Sequence, residues 1–129
     1  MEAVLLDTNI VSYLLKIDTR AALYRKHLDQ KLLCISHATL TELYRWPIVR
    51  SWGQANTDRL KQSLKTYTLV ALDEQTCEHW AQVVSIRGHP VSYHDAWIAA
   101  AALRHGLPLV THNRKDFKFI PKLNLISEA

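Results

Sequence analysis

Asp7, Glu42, Asp95 and Asp116 each stand just after a short apolar run or in the early turns of a helix-like segment. Carboxylates gathered at such positions repel one another, so without a cation their pKa values rise and they take up protons. A hard divalent ion such as Mg²⁺ or Mn²⁺ removes that cost, since it favours oxygen ligands and keeps coordination sites open for a phosphate. The chemistry to expect is metal-assisted hydrolysis of a phosphate ester. Competing chemistries are weakly represented. No Cys–His or Ser–His pair stands out as a nucleophile and base. The seven histidines and two cysteines show no zinc-type spacing. Each acid also has a structural reading. Asp7 suits a helix N-cap, and Asp95 can close a capping box in Ser92-Tyr93-His94-Asp95. Glu42 can pair with Arg45 three residues on, and Asp116 suits a turn. Thr8, Asn9, Ser92, Thr111 and Asn113 are interleaved with the acids. They can orient ligands from behind, or serve as ordinary turn and cap residues.

Positioning these groups requires a scaffold, and its pattern is legible. Short apolar runs occur at 3–6, 32–35, 68–72, 109–111 and 123–126, a form that suits buried parallel strands. Helix-like segments lie between them, at 9–15, 19–30, 37–46, 57–65, 75–86 and 93–105. Ser36 is a good N-cap, and 93–105 is bounded by Gly88 and Pro90 before it and by Gly106 and Pro108 after it. The stretch 96–103 is apolar on all sides, which makes that helix central. Alternating strands and helices imply an α/β three-layer fold with a mostly parallel, roughly five-stranded sheet flanked by helices. Ligands then gather at the carboxyl ends of the strands near a topological switch point, where all four acids are expected to meet.

Length and composition agree with a single domain over 1–129, since 48% of the residues are apolar and no linker or repeat interrupts them. No apolar run is long enough to span a membrane, and the N-terminus lacks a basic-then-apolar leader, so a cytoplasmic location is expected. Cys34 and Cys77 both read as core or near-core thiols. The net charge of +4 suits a polyanionic partner.

Several short motifs recur here in a familiar order: Asp7-Thr8-Asn9, Thr41-Glu42-Leu43, Asp95-Ala96-Trp97-Ile98-Ala99-Ala100, and Thr111-His112-Asn113 with Asp116-Phe117. Together they resemble the PIN-domain family, and most closely its VapC-type toxins of toxin–antitoxin pairs. The resemblance spans Leu5 to Ile126 and implies a PIN-like fold and a Mg²⁺- or Mn²⁺-dependent endoribonuclease. It also implies Asp7, Glu42 and Asp95 as the core acidic positions and Asp116 as the more variable fourth. Thr111 and Asn113 match the family's T-x-N motif. A homodimer and a cognate antitoxin that occludes the site are implied as well. The chain departs from the toxin pattern at one place. A glycine often follows the glutamate, whereas here Glu42 leads into Trp46-Pro47, and Pro47 is expected to end or kink that helix.

Arg114, Lys115, Lys118 and Lys122 flank Asp116, and Arg45 and Arg50 follow Glu42. A ring of such cations would hold an RNA backbone on either side of a cut. Trp46 and Trp52 can stack on unpaired bases or seat a partner helix, whereas Trp80 and Trp97 read as core. His94 and His112 adjoin the site without a required role. Tyr13, Leu14, Leu15, Trp46, Ile48 and Trp52 exceed what a small monomer needs to expose, which favours a dimer and a protein partner. Two alternatives share parts of this pattern: a housekeeping RNA-processing nuclease without an antitoxin, and a catalytically silent RNA-binding module. An aspartyl-phosphate phosphatase is disfavoured, because its second acid two residues after the first is replaced by Asn9.

Overall fold

Five short strands form one all-parallel sheet in the order β3-β2-β1-β4-β5. They are β1 (Ala3–Leu6), β2 (Leu32–Ile35), β3 (Thr68–Leu69), β4 (Leu109–Val110) and β5 (Leu125–Ile126) in a computed structural model describing residues 1–129. The helices are α1 (Thr8–Lys16), α2 (Ala21–Leu28), α3 (His37–Val49), α4 (Gln54–Leu64), α5 (Glu74–Val84), α6 (Tyr93–His105) and α7 (Arg114–Phe117).

Strand β1 is central because its side chains are apolar on both faces. Val4 and Leu6 join Ile10, Tyr24, Leu43, Leu60 and Leu64 in one core layer. Leu5 joins Ala38, Val83, Ala96, Ile98, Leu109 and Phe117 in the other. The period-two alternation of a strand therefore divides the core, with α1, α2 and α4 over one face and α5 and α6 over the other. Helix α6 is lined by alanines 99–102, all buried, which lets its backbone approach the sheet and α5 closely. It starts at Ser92, whose Oγ accepts from the Asp95 N–H at 3.1 Å, and stops at Gly106, whose φ of 64° is the left-handed cap glycine favours.

The outer strands are shorter than their apolar runs. β3 pairs over only two residues, both exposed, and β5 is half-buried. An edge strand has one neighbour, so apolar character alone does not extend its ladder. Asp116, expected in a turn, lies in the one-turn helix α7. Pro47 does not end α3. It is buried within the helix, which continues to Val49, because proline removes one donor while later N–H groups still bond. Those of Arg50 and Trp52 reach the carbonyls of Trp46 and Pro47 at 3.0 and 2.9 Å. Cys34 is buried as expected, but Cys77 is exposed on the outer side of α5.

The C-terminal segment is tied to the sheet through Tyr24, whose side chain is fully buried. Its hydroxyl meets His112 Nδ1 and accepts from the Glu128 N–H at 3.0 Å. Tyr24→Phe keeps the packing and strands both partners. It should lower the urea-unfolding free energy by about 1–2 kcal/mol. An unchanged midpoint would mean that water replaces the hydroxyl.

Candidate active site

The chain runs from β1 outward through β2 to β3 and then returns to place β4 on the other side of β1. The switch point therefore lies between the carboxyl ends of β1 and β4, where Asp7 and Thr111 follow their strands. The Asp7 N–H bonds the Val110 carbonyl at 2.9 Å, which locks the two ends together.

Asp7 is 5% exposed. Its Oδ1 accepts from the Thr8 N–H at 2.7 Å, so the capping role exists. Its Oδ2 accepts from Thr111 Oγ1, also at 2.7 Å. Burial, joined by the neighbouring carboxylates of Asp95 and Glu42, pushes its pKa up to about 6 despite those two bonds. The polar residues around it form a supporting layer. Thr111 Oγ1 accepts from the Asn113 N–H at 3.0 Å, which commits the threonine proton to Asp7. Thr8 Oγ1 donates to Thr39 Oγ1 at 3.0 Å, and Asn9 Oδ1 accepts from the His112 N–H at 3.4 Å. Asn9 Nδ2 is buried without a partner, an amide donor left free beside the acids.

Asp95 projects from the first turn of α6. Burial raises its pKa, the Ser92 contact and His94 lower it, and Asp116 and Glu42 raise it. Only one half of the expected capping box is made: Ser92 Oγ accepts from the Asp95 N–H, and the Ser92 N–H does not bond back to the Asp95 carboxylate. Glu42 does not pair with Arg45. Its Oε1 lies 2.6 Å from His94 Nε2, an ion-pair contact when the imidazole carries a proton. His94, left without a role by its sequence context, is thus the immediate neighbour of a site carboxylate. His112 instead packs edge-on to Tyr13 and Tyr24 beneath the site.

Asp7, Glu42 and Asp95 line one pocket of about 290 Å³, with Asn9 and Asn113 at its wall. Asp116 is set apart: with Asp95 and Lys115 it lines an adjoining cavity. The four acids therefore do not share one pocket. No three of these side chains, as they stand, converge at ligating distance. In donor type the set still fits a hard divalent cation: oxygen ligands only, one of them buried with a raised pKa, and carboxylates as the neighbouring charges acting on it.

The basic residues divide as well. Lys115 borders the Asp116 cavity and also, with Arg114 and Lys118, a basic hollow near the C-terminus. Arg45 is exposed and outside the acidic pocket. Lys16 and Arg50 line it instead, and both sit over the Trp46 ring, at 5.4 and 4.5 Å from its centroid. Helical spacing carries a signal for both. Asn9, Ser12, Tyr13 and Lys16 fall at i, i+3, i+4, i+7 on α1, and Glu42, Trp46 and Arg50 at i, i+4, i+8 along α3 and its C-cap. Reading outward from an acid along its own helix face would have preferred Arg50 to Arg45 and found Lys16.

The PIN domain family matches this chain over residues 4–123. Ribonuclease VapC1 of Haemophilus influenzae is 32% identical over 92% of each chain. The tRNA(fMet)-specific endonuclease VapC of Shigella flexneri is 28% identical over 88% of this chain and 89% of that protein. A crystal structure of DNA-bound VapBC from Salmonella typhimurium superposes with a TM-score of 0.82 at 27% identity, covering 98% of both chains. With the strand order and the acidic switch point described above, these matches show that the chain belongs to the PIN-domain family, in its VapC branch.

Proposed function

We propose that this chain is a divalent-metal-dependent endoribonuclease, the toxin of a toxin–antitoxin pair. The observation that carries the reading is Asp7: a buried carboxylate with a raised pKa, facing Glu42 and Asp95 at the switch point of the sheet. Asp7, Glu42 and Asp95 would hold a Mg²⁺ or Mn²⁺ ion, with Asp116 reaching it from the adjoining cavity. Bound there, the ion supplies Lewis-acid chemistry for phosphodiester hydrolysis. The protein groups do the positioning. Thr8 and Thr111 hold both oxygens of Asp7 in place, and Asn9 Nδ2 offers a donor beside them. Lys16 and Arg50 attract the RNA backbone from one side of the acids and Lys115 from the other. Arg114 and Lys118 extend that basic surface. The tRNA(fMet)-specific relative makes tRNA the first RNA class to assay.

The antitoxin reading has its own surface. Leu15, Trp46, Trp52 and Leu60 line a groove between α1, α3 and α4 that shares Lys16 and Trp46 with the acidic pocket. An amphipathic helix laid there would end at the carboxylates, where a basic side chain neutralises them. The expected surplus of exposed apolar residues is smaller than six: Tyr13 is buried, and Leu14, Leu15, Trp46 and Trp52 pack against the core. Ile48 is 79% exposed, and Tyr44 and Val49 beside it are also exposed. This end of α3 is the proposed dimer surface. No helix is long and apolar enough to cross a membrane, which is compatible with the cytoplasmic location proposed for a tRNA-directed enzyme.

The test is cleavage of tRNA and single-stranded RNA by the purified chain in Mg²⁺, Mn²⁺ or EDTA, repeated after co-expression with the product of any adjacent small reading frame. Cleavage that requires the ion and stops with the partner is expected. Cleavage undiminished in EDTA would overturn the metal role, and an active chain indifferent to the partner would favour a housekeeping nuclease.

A further inference from the structure

Phe119 has no place in the core. Its neighbours Phe117 and Ile120 are 1% and 5% exposed, whereas Phe119 is 48% exposed and belongs to neither apolar layer. Its ring stacks instead on His89, with centroids 3.7 Å apart and planes 11° from parallel. Lys118 Nζ lies 5.0 Å from the same ring centroid. The two stacked residues come from distant segments. His89 lies in the α5–α6 connection, next to Gly88, whose φ of 82° turns the chain there. The two exposed aromatic rings are brought together across the fold as a face-to-face stack, to which a further planar ring can add.

That stack borders a cavity of about 430 Å³ whose other side carries Ser92, Asp95, Lys115 and Asp116. Asp95 also lines the acidic pocket, so the cavity opens directly beside the place where a phosphate would be cleaved. Building on the ribonuclease reading above, we propose that this cavity receives the unpaired base of the nucleotide next to the cleaved phosphate, with Phe119 and His89 as its stacking platform. Lys115 is the one lysine or arginine in the lining, whereas His89 and Phe119 supply an aromatic face, which favours a planar base over a second phosphate as the occupant. An apolar partner helix fits the separate groove at Trp46 and Trp52 better, where hydrophobic walls predominate. Lys115, at the rim, is placed to meet the flanking phosphate. Stacking tolerates any base, so the site positions the strand and prefers unpaired over paired RNA.

The test first maps the cut site in a cleavable single-stranded RNA, then places 2-aminopurine at successive positions across it. Binding is followed by fluorescence in Asp7→Asn, which leaves the RNA uncut. Quenching at a position next to the cut is expected. Adding Phe119→Leu should abolish that quenching and weaken binding about tenfold, whereas Phe119→Tyr should retain both. In the otherwise unmodified enzyme, Phe119→Leu should raise KM by a similar factor, with a melting temperature near that of the parent. Unchanged quenching and KM in Phe119→Leu would overturn the base site while leaving the nuclease standing. Absence of cleavage by the unmodified chain would overturn the ribonuclease reading itself.

Discussion

Asp7→Asn should lower RNA cleavage by on the order of 10³-fold while the chain stays folded. The substitution preserves shape and removes one negative charge. Asn Oδ1 can still accept from the Thr8 N–H at the start of α1, so the cap survives. Thr111 Oγ1, which now donates to Asp7 Oδ2, would face an amide donor and must rotate its proton away. What is lost is the buried carboxylate at the switch point, the one best placed to hold a cation. Glu42 and Asp95 remain, but they are more exposed and more easily screened. The measurement is initial-rate cleavage of a labelled RNA, with Asp18→Asn as control because Asp18 pairs with Arg20 on the surface. A variant that keeps a tenth or more of the activity would remove Asp7 from the machinery.

The same residue should make the metal-free protein less stable as pH rises from 4 to 7.5. The folded pKa of Asp7, about 6, lies above its ordinary value of 3.8, so the folded state binds the proton more tightly than the unfolded state. Stability from this group is therefore present below the unfolded value and is lost as pH climbs through about 6. The shift corresponds to about 3 kcal/mol in full, of which about 2 kcal/mol falls within this window. Asp18 and Asp73, held well below their ordinary values by Arg20 and Arg104, act in the opposite sense but below this window. Urea unfolding in EDTA at several pH values measures the slope. Asp7→Asn should flatten it and be the more stable protein at pH 7.5. Mn²⁺ added to the unmodified chain at pH 7.5 should recover the lost stability by binding the folded state. An identical slope in Asp7→Asn would assign the pH dependence elsewhere. A large loss of stability in that variant would mean that the bond from Thr111 to the Asp7 carboxylate outweighs the cost of burying the charge.

The two predictions depend on different layers of the molecule. Loss of cleavage follows from the carboxylate's identity, which is written in the chain. The pH slope follows from its burial beneath Thr111, Thr8 and two neighbouring acids, which no local pattern contains. Helix α3 shows the same division. Its N-cap, Ser36, and its glutamate were readable in advance, whereas its passage through Pro47 was not. Local rules end a helix at proline, but a buried proline within a packed layer loses one bond and keeps its contacts.

The sequence by itself determined the alternation of strands and helices, the apolar character of β1 and α6, and the identity of the acids, because periodicity and composition are properties of neighbours along the chain. Only the tertiary structure decided how the acids are apportioned. Strand order placed Asp7, Glu42 and Asp95 in one pocket and sent Asp116 to the next. The same packing turned Glu42 toward His94 instead of Arg45, brought Lys16 and Arg50 onto Trp46, and set His89 against Phe119. These are contacts between segments far apart in the chain, and their geometry exists only once two helical layers have closed on the sheet.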